Sequence, residues 1–166
     1  MTTSVETRTP RAGLRSTQGA GPVLLATFDV PFDKAATTFA VEAALEAGRL
    51  LIVANIVELA PLPMSVQMGS DIVDYTPEME ASLAAPVELA VSMGVSVERI
   101  RVKSFRRVEA LIEVTRERGV RMLVLGPDRS QVSARLYNKA ADAVRSRIDC
   151  LVWVTWDLGG PAPDSG

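Results

Sequence analysis

Histidine is absent from this 166-residue chain, and cysteine occurs once, at Cys150. Without imidazole there is no Ser-His-Asp or Cys-His nucleophile, and the usual ligands of catalytic zinc are missing. A lone cysteine excludes a disulfide framework within the chain and suits a reducing cytoplasm. No apolar run approaches the ~18 residues of a membrane-crossing helix. The N-terminus carries basic residues but no apolar core after them, so it does not read as a secretory signal. There is no Walker A run, and no nucleophile stands paired with a base. The acids are spread over helix faces, so the expected class is non-catalytic. Charge bias is also missing. The formal net charge is -2, which predicts neither nucleic acid nor a membrane surface as partner.

What is present is material for one soluble core, with 48% hydrophobic and 23% charged residues. Residues 1–21 are rich in Thr, Arg, Gly and Ser and cannot offset their ordering entropy by burial. They read as a flexible tail, as does the Gly/Pro-rich stretch 157–166. Residues 22–156 form the domain between them. VLLATF (23–28) is apolar throughout, as a strand covered on both faces would be. Asp33 is placed to cap a helix over 34–47, whose small apolar residues recur at helical spacing and which Gly48 stops. LLIVANIV (50–57) is a second buried strand with one polar residue, Asn55.

A long connection follows over 58–75. Thr76-Pro77 opens a helix reaching about Met93, with a kink or break expected at Pro86. Residues 95–103 alternate imperfectly, like an edge strand. Ser104 reads as the cap of a helix over 107–118. A strand at 121–126, a helix, and the strand CLVWVTW (150–156) complete the pattern. Basic residues outnumber acids between Arg101 and Arg121. Phe105 is the one ring among them, which favours a solvated helix face over a nucleic-acid groove.

Strands alternating with helices predict an α/β fold: a five-stranded parallel doubly wound sheet, order 3-2-1-4-5, with helices on both faces. Ligands of such sheets bind where the strand order reverses, beyond the C-terminal strand ends. Here that point lies between the first and fourth strands. The candidate ligand residues are Asp29, Asn55, Gly126, Arg129 and Ser130. The last strand presents Leu151, Val152, Trp153, Val154 and Trp156, so it is apolar on both faces and lies at a sheet edge. Pairing with its own copy would cover that edge, which predicts a homodimer.

Several segments resemble the universal stress protein family. They are VLLATFD (23–29), AVEAALEAGRLLIVANIV (40–57), GVRMLVLG (119–126) and CLVWVTW (150–156). Cys150 stands where that family often has a Cys-Pro start. The resemblance spans residues 21–156. It implies a Rossmann-like, HUP-type fold and a dimer commonly formed through the last strand. It also implies membership of either a nucleotide-binding or a non-binding group. Binders carry Gly, two residues, Gly, nine residues, then Gly followed by Ser or Thr. Those glycines and the N–H groups of a helix start cradle phosphate.

Gly126 matches the first glycine of that motif. Arg129 stands at the second, and Asn138-Lys139 at the Gly-Ser pair when counted back from Cys150. Val30-Pro31 replaces the Gly-Ser that follows the first-strand acid. Phe28 takes the acidic position without a gap, and Asp29 takes it with a one-residue shift. The expectation is a stress-response or regulatory homodimer without the conventional ATP site, needing no cofactor and open to an unknown protein partner. The competing reading keeps ATP, AMP or another anion on the side chains of Arg129, Ser130 and Lys139.

Overall fold

In the computed structural model, which describes residues 21–59 and 75–154, the strands form one parallel sheet in the order β3-β2-β1-β4-β5. The strands are β1 (Val23–Thr27), β2 (Leu51–Glu58), β3 (Val97–Ser104), β4 (Met122–Leu125) and β5 (Leu151–Val154). The helices are α1 (Lys34–Ala47), α2 (Pro77–Ser92), α3 (Arg107–Glu117) and α4 (Ala134–Arg147). The expected strand order is the observed one. Both tails, Trp156 and most of the 58–75 connection lie outside the described residues. Among the described residues, no helix is long and apolar enough to cross a membrane.

Strand periodicity sorts the side chains into two cores, because neighbouring residues point to opposite faces. Leu24, Ala26, Ile52, Ala54 and Ile56 pack with Leu111 and Ile112 of α3 and Tyr137, Ala140 and Val144 of α4. Leu25, Leu51 and Val53 pack with Ala36, Ala40 and Ala44 of α1 and Leu83 and Ala90 of α2. β1 is buried along its whole length, between β2 and β4. Burying each large aliphatic side chain contributes about 1.5–3 kcal/mol.

The helix ends follow their local chemistry. The Asp33 carboxylate accepts the Ala36 N–H at 2.9 Å, and Gly48 stops α1 in the left-handed region at φ 64. Two local expectations are corrected. The break considered at Pro86 does not occur, since α2 is one helix from Pro77 to Ser92. The proline is buried, so packing of its ring offsets the missing N–H. Ser104 does not cap α3. Its Oγ accepts the Arg106 N–H at 3.0 Å and donates to the Arg106 carbonyl at 3.1 Å, which pinches the turn between β3 and α3.

Candidate functional site

Asp29 follows β1 and adopts φ 59, a left-handed conformation that few non-glycine residues take. Aspartate is among the residues that tolerate it best. Its N–H donates to Asn55 Oδ1 at 2.7 Å, and Asn55 Nδ2 donates back to Asp29 Oδ1 at 3.3 Å. The pairing is possible because Asn55 lies opposite Thr27 in the β1–β2 register. The Tyr75 hydroxyl donates to the same Asp29 Oδ1 at 2.5 Å and accepts from Asn55 Nδ2 at 3.1 Å. Asp29, Asn55 and Tyr75 therefore close a ring of hydrogen bonds at the C-terminal edge of the sheet.

Arg101 sits opposite Asn55 on β3, its guanidinium 5.9 Å from the centroid of the Tyr75 ring. Burial, then the hydrogen bond to Asp29 and its charge, raise the Tyr75 pKa above 10.0; Arg101 opposes them without prevailing. The ring borders a cleft of about 290 Å³ lined by Asn55, Tyr75, Glu80, Arg99 and Arg101. Arg99 is paired with Glu80 at 2.9 Å within it. Sequence reasoning named Asp29 and Asn55 but missed Tyr75. The available signal was a tyrosine immediately before the Thr76-Pro77 helix start, at the ligand edge.

Across the switch point, the two loops are joined to each other. Phe32 and Pro127 form an antiparallel bridge. The Asp33 N–H donates to the Gly126 carbonyl at 2.9 Å, and the Asp128 N–H to the Pro31 carbonyl at 2.8 Å. Gly126 answers to packing. A Cβ there would lie 2.8 Å from Leu25 Cδ1 and 2.9 Å from the Ala36 Cβ. The close approach of β1 and α1 thus accounts for this glycine without a ligand.

The residues beyond Gly126 are engaged by the protein itself. The Asp128 carboxylate accepts from the Ser130 N–H at 3.0 Å and from the Ser130 hydroxyl at 2.8 Å. Partial burial acts to raise the Asp128 pKa, but the Ser130 hydroxyl and N–H and the Gln131 amide outweigh it and hold it below 3.8. The Arg129 guanidinium lies 4.0 Å from the centroid of the Tyr137 ring, in a cation–π contact. Asn138 and Lys139 are not at a helix start. α4 begins at Ala134 behind an N-cap at Ser133, whose Oγ accepts the Leu136 N–H at 3.1 Å. Both residues are exposed on its second turn. Lys139 instead lines a cleft of about 470 Å³ with Glu58, Phe105, Arg106, Arg107 and Leu136.

A sequence profile of the universal stress protein family matches residues 20–155. The chain belongs to that family. Its fold is similar to a universal stress protein family member from Burkholderia pseudomallei, with 18% identity, 82% of this chain and 96% of that chain covered, and a TM-score of 0.58. The Archaeoglobus fulgidus universal stress protein in complex with dAMP is 16% identical, covered over 81% and 96%, with a TM-score of 0.56. A universal stress protein in complex with cAMP is 20% identical, covered over 81% and 95%, with a TM-score of 0.54. At these identities the likeness concerns the fold. No curated protein matches significantly.

In this universal stress protein β5 is an edge strand, as expected. Leu151 is 62% exposed, Val152 and Trp153 are half-buried, and Val154 is buried. The Trp153 ring lies 4.8 Å from that of Phe39 on α1, which covers part of its face within the monomer.

Proposed function

We propose that this universal stress protein is a non-catalytic regulatory protein of the cytoplasm, acting as a homodimer paired along β5, and that the turn after β4 does not cradle a nucleotide. The observation that carries this reading is the joining of the two switch-point loops. Phe32 bridges Pro127, Asp128 holds Ser130, and Arg129 lies on Tyr137. A phosphate seated there would have to displace these contacts, each hydrogen bond contributing about 0.5–1.5 kcal/mol. A bulky arginine also stands where a glycine would let the backbone approach phosphate.

Relatives in fold have been solved with cAMP and dAMP. Nucleotide analysis of the purified protein and calorimetry with ATP and AMP test the reading. The expected result is no nucleotide bound at this turn. Stoichiometric ATP that is lost in Arg129→Ala or Ser130→Ala would reject it.

The dimer rests on the β5 edge, where Leu151 is exposed and where, among the described strands, β5 has a neighbour on one side only, β4. Sedimentation at micromolar concentration should give a dimer that Leu151→Asp converts to monomer. A wild-type monomer at that concentration removes the proposal.

A further inference from the structure

We propose that the cleft between α1 and α2 binds a small monocarboxylate with an aliphatic body. It lies on the sheet face away from α3 and α4, and its volume is about 320 Å³. That falls within the roughly 300–1,000 Å³ typical of small-molecule sites. Phe32, Ala85 and Leu89 give it an apolar wall, while Lys34, Thr37 and Thr38 set polar groups along α1. Such a wall buries an aliphatic body without fixing its orientation, which falls to the polar groups.

Thr37 is the residue that points to a ligand. It is only 9% exposed, yet among the described residues its hydroxyl makes no hydrogen bond. Thr115, also buried in a helix, donates to the Leu111 carbonyl at 2.7 Å, the usual way a helix satisfies such a hydroxyl. The matching acceptor for Thr37 is the Asp33 carbonyl, which takes the Thr37 N–H at 3.0 Å and not the hydroxyl. A buried hydroxyl without a partner is costly, and a ligand oxygen in the cleft would supply one.

Charge selects the head of that ligand. Among the described residues, Lys34 is the one charged side chain lining the cleft, and it is exposed and makes no ion pair. α1 has no acid in its first turn, and the Asp33 carboxylate that caps it accepts the Ala36 N–H. The ammonium and the positive end of the helix therefore act together on an anion. Lys34 and Thr37 are three residues apart on one helix face, so one carboxylate can accept from both. None of these residues belongs to the turn after β4, so the proposal is independent of the reading of that turn.

The test is calorimetric titration of the full chain with octanoate, using octanol and acetate as controls that keep only the body or only the head. Octanoate should bind, and each control at least tenfold more weakly. Lys34→Gln should weaken octanoate tenfold or more, and Thr37→Val threefold or more. Ala85→Trp, which fills the cleft from an exposed position, should abolish binding, while Arg129→Ala leaves it unchanged. Thr37→Val keeps the side-chain shape, and Lys34 and Ala85 are exposed, so the variants should fold; circular dichroism checks this. Absence of binding at millimolar octanoate overturns the proposal, as does binding matched by octanol or indifferent to any one of Lys34→Gln, Thr37→Val and Ala85→Trp. Octanoate binding lost only in Arg129→Ala would relocate the ligand to the turn and overturn it. A dimer that Ala85→Trp converts to monomer, with octanoate unbound, would assign the cleft to a second copy of the chain and overturn it too.

Discussion

The Tyr75 hydroxyl donates a hydrogen bond to the Asp29 carboxylate at 2.5 Å, tying the start of α2 to the turn after β1. The bond joins residues 46 apart in the chain, so it closes a long loop at the sheet edge. Hydrogen bonds to charged groups contribute about 1.5–3 kcal/mol. Tyr75→Phe should therefore shift the urea midpoint downward by an equivalent amount. An unchanged midpoint would show that water replaces the hydroxyl at no cost.

Asp29 combines a carboxylate that is used with a backbone at φ 59. Asp29→Ala and Asp29→Gly both delete the carboxylate, but glycine carries no penalty in the left-handed region, where other residues lose about 1–2 kcal/mol. The glycine variant should be the more stable of the two by about 1 kcal/mol. Equal unfolding free energies for the pair would contradict the backbone conformation.

Alkaline titration reads the same ring of hydrogen bonds. The Tyr75 pKa is raised above 10.0 in the folded state. A raised value means a stability contribution that is complete below the unfolded pKa and is lost as pH climbs through the folded one. Wild type should lose stability above pH 10 more steeply than Tyr75→Phe. Parallel curves for the two proteins would rule out this role for Tyr75.

The acid limb depends on Asp128, whose folded pKa lies below 3.8. Here the sign is reversed. The contribution is present above the unfolded value and disappears as pH falls through the folded one. Asp128→Asn should be less stable than wild type at neutral pH, and the difference should shrink as pH drops below 3.8. Chemical denaturation at stepped pH measures it; a pH-independent gap would assign the effect to something other than the carboxylate.

At Gly126 the cost of a methyl group is steric. With Leu25 Cδ1 at 2.8 Å and the Ala36 Cβ at 2.9 Å from the site of an added Cβ, Gly126→Ala should overpack the β1–α1 contact and lose about 1–3 kcal/mol. The loss should appear in thermal unfolding without any ligand. A fully stable variant would return Gly126 to the ligand-binding account.

Much of the scaffold could be read directly along the chain. Asp33 and Gly48 mark the two ends of α1 because cap preferences are local. The stripe Tyr137, Ala140, Ala141 and Val144 is buried as its spacing implies. The helix start at Ser133 was also legible as a cap residue. Pro86 does not break α2 because its cost is local while the burial that offsets it comes from tertiary packing.

Hydrophobic periodicity, turn residues and the alternation of strand with helix were enough to specify the five-stranded parallel sheet and its order, since right-handed crossovers leave few alternatives. They also singled out Asp29, Asn55 and Gly126 as residues out of keeping with their neighbours. Their roles depended on contacts between distant segments. Tyr75 meets Asp29, Phe32 bridges Pro127, and Arg129 lies over Tyr137. Such contacts arise only when strand register and helix packing fix the loops against one another, because a side chain's partner is set by position in space rather than by spacing along the chain.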